Sequence, residues 1–168
     1  MGVSPSRRWH VQSTIGLYIC AEHSFTTNHH AMPQSHVVLY CHIVFATKGR
    51  EHVLVGDVGT RLHGYTAGII NNVRCLPIAV GGFTDHMHML VQVNPKVTVP
   101  VMVGKIKANT SRWIHETFPS MKDFAWQDGY AAFSISKTHV NAVAAYIQRQ
   151  EEHHRGQSHD EEMARPLR

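Results

Sequence analysis

Asp85-His86-Met87-His88-Met89-Leu90-Val91 alternates in the way a β-strand does. In extended backbone successive side chains take opposite faces, so His86 and His88 share one face and Met87, Met89 and Val91 the other. Two imidazoles roughly 6–7 Å apart on a rigid strand are half of a divalent-metal site. In a chain with 15 histidines the same pair also reads as polar residues on a wet face. The methionine face needs a core, and the sequence on either side supplies one.

Upstream, Val37 to Ala46 alternates His36, Val38, Tyr40, His42 and Val44 against Val37, Leu39, Cys41, Ile43 and Phe45. That pattern predicts a central strand with one fully apolar face. Thr47-Lys48-Gly49-Arg50 is a basic turn. Val58, Leu62, Tyr65, Ile69 and Ile70 predict a helix from about Asp57, a candidate N-cap, to Asn71. Val73 to Val80 reads as a second strand, with Gly81-Gly82 as the turn or bulge before the histidine strand.

Downstream, Thr98 is placed to cap a long helix that Pro119 stops. Its stripe is Val99, Met102, Val103, Ile106, Thr110, Trp113 and Ile114. Tyr130 to Ile135 predicts a last strand, and Thr138 to Arg155 a last helix with Val140, Val143, Ala144 and Ile147 on one stripe. The order βαββαβ predicts an α+β, ferredoxin-like (RRM-like) antiparallel sheet with two helices on one face. The other face is left for a ligand or for the additional C-terminal helix.

Residues 1–31 differ in character from the rest of the chain. Ser6-Arg7-Arg8-Trp9 is similar to a twin-arginine export signal, but Ile15 to Ala21 is too short and weak for its apolar core. These residues are expected to be a poorly ordered extension, with Met32 an alternative start. Residues 32–155 are expected to form the domain, and 156–168 a polar tail. No apolar run approaches the roughly 18–20 residues of a membrane span. Cys20, Cys41 and Cys75 are too scattered for a zinc knuckle, and their odd number argues against a disulfide scaffold. Cys41 and Cys75 lie inside apolar runs and read most simply as buried thiols in a reducing cytoplasm. The net charge of +4 favours a polyanionic partner without naming one.

Tyr146 and Gln150 lie four apart on the last helix, hence on one helical face. With His86 and His88 they suggest a phenolic oxygen attacking a phosphodiester polarised by a divalent ion on His86, His88 and Gln150. The plainer reading leaves Tyr146 packing its ring and Gln150 in solvent.

Four stretches together resemble the HUH-type single-tyrosine transposases, single-strand DNA transposases of bacterial and archaeal insertion sequences. They are His86-Met87-His88, the helix with Ile106-Lys107-Ala108-Asn109-Thr110-Ser111-Arg112, Trp126-Gln127-Asp128-Gly129-Tyr130, and Tyr146-Ile147-Gln148-Arg149-Gln150. The strand His36 to Phe45 resembles that family's first strand, and the likeness runs from about Gln34 to His154. It implies that Tyr146 is the nucleophile of an HUH endonuclease and that His86, His88 and Gln150 hold Mg2+ or Mn2+. It implies cleavage and rejoining of single-stranded DNA through a 5′-phosphotyrosine link, which is DNA transposition by recombination at element ends. It also implies recognition of hairpins there, and a homodimer in which one subunit's tyrosine helix can complete its partner's site in trans. The edge of the first strand would then be the dimer seam.

Asp85 either orients the neighbouring histidines or simply starts the strand. Residues 32–155 carry 12 Lys and Arg against 8 Asp and Glu. Lys105, Lys107 and Arg112 on the long helix are the first expected DNA contacts, followed by Lys48 and Arg50. Two alternatives remain: a domesticated relative that binds or nicks hairpins, and a non-catalytic nucleic-acid-binding module of RRM-like fold. The strands lack the interleaved exposed aromatics on which such a module stacks bases.

Overall fold

The structure, a computed structural model, describes residues 36–149. The expected N-terminal extension, the C-terminal tail and Gln150 lie outside the described residues. Four strands and three helices follow the expected order: β1 (Leu39–Ala46), α1 (Asp57–Asn72), β2 (Leu76–Gly82), β3 (His86–Val93), α2 (Val99–Thr117), β4 (Ala131–Ile135) and α3 (Val140–Gln148). The sheet order is β2-β3-β1-β4, and every neighbouring pair is antiparallel. This is the ferredoxin-like split, in which β1 and β2 run parallel with β3 between them.

The sheet has two differently covered faces. Cys41, Ile43 and Phe45 of β1 and Met87, Met89, Val91 and Val93 of β3 meet the apolar stripes of α1 and α2, including Leu62, Ile70, Met102, Ile106 and Ile114. Thr110 belongs in that stripe despite its hydroxyl. The hydroxyl donates to the Ile106 carbonyl at 2.7 Å and accepts from Trp126 Nε1 at 2.8 Å, so it is buried with its hydrogen bonds made. On the other face Ala79, Leu90 and Ile135 meet Val143 and Ile147 of α3, which lies over β2 and β3. Among the described residues no helix is long and apolar enough to cross a membrane.

Several boundaries differ from expectation, most of them for a local reason. Asp57 is the first residue of α1, not its cap, because Gly56 takes the cap position at φ 56°. Val73-Arg74-Cys75 is the exit from α1 and not the start of β2, since Arg74 at φ 61° turns the chain. Gly81 and Gly82 belong to β2, and the turn into β3 is Phe83-Thr84-Asp85, closed by the Phe83 amide donating to the His86 carbonyl at 3.0 Å. Helix α3 starts after a single 3-10 turn at Lys137–His139 and has Arg149 as its C-cap. The expected dimer seam is also corrected. β1 is hydrogen-bonded on both sides, and among the described residues the edge strands of the sheet are β2 and β4.

Candidate active site

His86 and His88 stand on the face of β3 that meets α3, both buried, with ring centroids 4.9 Å apart. Around each ring the neighbouring chain supplies a partner for the same nitrogen. His86 Nδ1 lies 2.6 Å from Asp85 Oδ1, and because a carboxylate only accepts, the His86 N–H donates. His88 Nδ1 lies 2.9 Å from Nε2 of His42.

Asp85 is held in turn. Its Oδ2 lies 2.8 Å from Arg50 Nη2, and its backbone carbonyl accepts from the Thr47 amide at 2.8 Å and hydroxyl at 3.1 Å. Thr47 is fixed by a bridge to Trp126, whose ring stands edge-on to Phe45 and Phe124. Burial pushes the Asp85 carboxyl up, but the His86 hydrogen bond and the charges of His86, Arg50 and His52 outweigh it and hold the group below its usual value. The orienting contact considered for Asp85 is therefore made, to His86.

His42 escaped the sequence reading as a site residue. In register it pairs with Leu90 and so sits diagonally across from His88 on the same face. Burial lowers its pKa to about 4, which keeps the ring neutral at neutral pH. The signal in the sequence was a histidine within a strand whose neighbours are apolar. Only the strand register gives it a partner.

Tyr146 reaches this cluster from α3. Its ring stands edge-on to His88 at 5.8 Å and to His42 at 6.4 Å, so this chain's own helix approaches its own histidines. The approach depends on Gly81, the register partner of His88. A Cβ there would lie 2.7 Å from the Ile147 carbonyl, closer than packed atoms come. At Gly82 a Cβ would run into the His86 carbonyl, so the strand beside the pair also excludes side chains there.

The expected basic contacts divide. Arg50 serves Asp85, and Lys48 is exposed beside it. Lys105, Lys107 and Arg112 lie on α2, across the sheet from Tyr146. Lys107 reaches over the Phe45 ring, and its ammonium donates to the Gln127 carbonyl at 2.7 Å and to the Gly129 carbonyl, closing the loop before β4. Arg112 donates to Asn109 at 2.9 Å, and Lys105 is exposed beside a cleft of about 380 Å3 that Arg74 and Lys96 also line.

A metal would find two donors here. Among the described residues no three His, Cys, Asp or Glu side chains converge as a cluster. The pair itself suits a metal chemically. Each ring has its Nδ1 engaged by a neighbour, the arrangement by which protein metal sites fix imidazole ligands.

Known proteins agree with this architecture. The 31%-identical relative from Salmonella typhimurium, "Transposase for insertion sequence element IS200", aligns over 119 residues, 65% of this chain and 74% of its own length. The ISDra2 transposase TnpA of Deinococcus radiodurans is 25% identical over 114 residues, 65% of this chain and 81% of its own. Two solved structures share the fold. A crystal structure of a candidate transposase from Deinococcus radiodurans has TM-score 0.59 at 23% identity, covering 73% of this chain and 98% of that one. A REP-associated tyrosine transposase bound to a REP hairpin has TM-score 0.55 at 13% identity, covering 75% and 74%. The family model described as "Transposase IS200 like" matches residues 35–150, a span that takes in the whole sheet, the histidine pair and Tyr146. On that match the chain belongs to the IS200-like transposase family.

Proposed function

We propose that this transposase cuts and rejoins single-stranded DNA with Tyr146 as nucleophile and with His86 and His88 as ligands of a divalent cation. The observation that carries the reading is the approach of Tyr146 to His88, ring to ring at 5.8 Å, from a helix seated on the histidine face. Gln150, four residues beyond Tyr146 in sequence, is proposed as the third ligand. Imidazole donors favour Mn2+, whereas Mg2+ prefers oxygen ligands, and both ions are candidates.

Tyr146 Oη attacks the phosphorus of a phosphodiester. A bond forms between Oη and phosphorus, and the bond to the 3′ oxygen breaks. The phenolic proton leaves to solvent, and the 3′ oxygen takes up a proton. The products are a 5′-phosphotyrosine link and a free 3′-OH. In the reverse sense a 3′-OH attacks the link, releases Tyr146 and joins the strands, with the phosphodiester energy retained and no nucleotide consumed. A phenol near pKa 10 is a weak nucleophile at neutral pH. When bound, a divalent ion supplies polarisation of the scissile phosphate and neutralises developing charge. The protein's share is positional: Asp85 orients His86, Thr47 and Arg50 hold Asp85, and Gly81 lets α3 bring Tyr146 close.

The relative solved with a REP hairpin supports a DNA hairpin as partner. A homodimer is part of the proposal, with β4, an edge strand among the described residues on which Phe133 is exposed, as its seam. A non-catalytic RRM-like module is disfavoured by α3, which covers β2 and β3 on the face such modules leave open to bases. A domesticated relative would differ only after cleavage.

The test is incubation of purified protein with labelled single-stranded hairpin oligonucleotides from its own genomic flanks and Mn2+. A covalent protein–DNA adduct is expected on a denaturing gel. It should be absent with duplex DNA and with Tyr146→Phe. An adduct that persists in Tyr146→Phe removes the proposed nucleophile.

A further inference from the structure

Each histidine of the pair has its Nδ1 held from outside the pair, but by different means. Asp85, adjacent in sequence, serves His86. His42, 46 residues away on β1, faces His88 at 2.9 Å between Nε2 and Nδ1. We propose that His42 is the positioning residue of His88: its Nε2 accepts the His88 Nδ1 proton, so that His88 Nε2 carries the lone pair.

One shared proton decides between the two arrangements. At 2.9 Å two ring nitrogens are hydrogen-bonded, so one bears the hydrogen and the other accepts it. If His42 were the donor, the His88 proton would sit on Nε2, and His88 could offer a ligand no lone pair on that nitrogen. With His88 donating, its protonation matches that of His86, whose Nδ1–H is fixed by the Asp85 carboxylate. Both rings then present the same nitrogen. The contact also fixes ring orientation, since the two rings lie 5.1 Å apart between centroids with their planes within 22° of each other.

The surroundings of His42 suit an acceptor held in place. Its ring is buried, with the Phe133 ring at 6.2 Å and the Tyr146 ring edge-on at 6.4 Å. Because its Nε2 is engaged by His88, His42 does not offer that nitrogen as a third ligand. Its place is behind the ligand, as carboxylates and carbonyls stand behind metal-bound imidazoles elsewhere.

This inference rests on the proposed roles of His86 and His88, and its test separates the two. Long-range 1H–15N spectra of metal-free, 15N-histidine-labelled protein report which nitrogen of His88 is protonated, with the signals assigned by their loss in His88→Asn. The expected wild-type result is His88 protonated on Nδ1. Replacing His42 by glutamine, whose Oε1 can stand near the Nε2 position, should keep that tautomer and keep Mn2+ affinity by calorimetry within about threefold. His42→Leu fills the space without an acceptor; it should mix the tautomers and weaken Mn2+ binding about 10–100-fold. A wild-type His88 protonated on Nε2 overturns the proposal, whether or not the leucine variant folds. So does a leucine variant that binds Mn2+ as wild type does, or a glutamine variant that fails as badly as leucine. If wild-type protein binds no Mn2+, the proposed function loses its metal, while the tautomer still decides the role of His42.

Discussion

The carbonyl of Ile147 lies 2.7 Å from where a Cβ on Gly81 would stand. Gly81 pairs with His88 across the sheet, and Ile147 follows Tyr146, so one missing side chain sets the distance between helix and histidine. Gly81→Ala must push the end of α3 outward, because the opposing atom is backbone. Misplacement of a reacting group by about 1 Å can cost on the order of 100-fold in rate. The variant should form the DNA adduct roughly 100-fold more slowly with an unchanged far-UV spectrum. An adduct rate equal to wild type would show that this contact does not position Tyr146.

The Arg50–Asp85 pair joins a half-exposed guanidinium to a buried carboxylate. Arg50→Ala removes one of the two groups that contact the carboxylate and leaves the His86 N–H in place, and the exposure of Arg50 limits the stability lost to about 1 kcal/mol. Asp85→Asn should act on the metal instead, weakening Mn2+ binding about 10-fold or more, since the amide orients His86 without charge. Chemical denaturation and calorimetry check the two effects separately.

Lys107 and Lys105 are two residues apart and should behave differently. Lys107→Met removes donors from two carbonyls of the loop before β4 and should cost about 1–2 kcal/mol in denaturation. It should leave the salt dependence of DNA binding unchanged. Lys105→Ala should leave stability unchanged and lower the slope of log affinity against log salt by about 1.

Burial lowers His63 on α1, like His42, to a pKa of about 4. The unfolded chain binds these protons from about pH 6.5 downward, whereas the folded chain does not until about pH 4. The unfolded state therefore holds more protons in that window, and stability falls as pH drops from 6.5 towards 4. Each such histidine contributes a slope of about 1.4 kcal/mol per pH unit. Metal-free His63→Gln should lose one histidine's share of that slope in urea titrations across this range. An unchanged slope would mean that His63 is hydrated in the folded state.

Much of the fold was legible because β1 and β3 each carry one strictly apolar face, and α2 an unbroken stripe. Where local signals conflict, the reading slipped. Val73 and Cys75 look like strand residues, but Arg74 between them turns the chain at positive φ, a property of one residue's backbone that apolar patterning does not record. The end of α3 carries no glycine or proline to announce it. Of the residues that the structure brings together at the candidate site, His86, His88, Asp85 and Tyr146 stand out in the sequence by spacing and family likeness. His42 does not, because its contact with His88 depends on strand register, which couples residues 46 apart. In the sequence Lys105 and Lys107 of α2 are alike as expected DNA contacts. The structure uses Lys107 as a clasp and sets α2 across the sheet from Tyr146.

The central claim is that Tyr146 carries the DNA. Trypsin would release Thr138–Arg149 as one peptide in which Tyr146 is the only tyrosine. After reaction with a single-stranded hairpin in Mn2+ and nuclease trimming, mass spectrometry of the adduct should place a nucleotide phosphate on Tyr146 in that peptide. A nucleotide mapped to any other residue, or a covalent adduct with this peptide unmodified, would contradict the account.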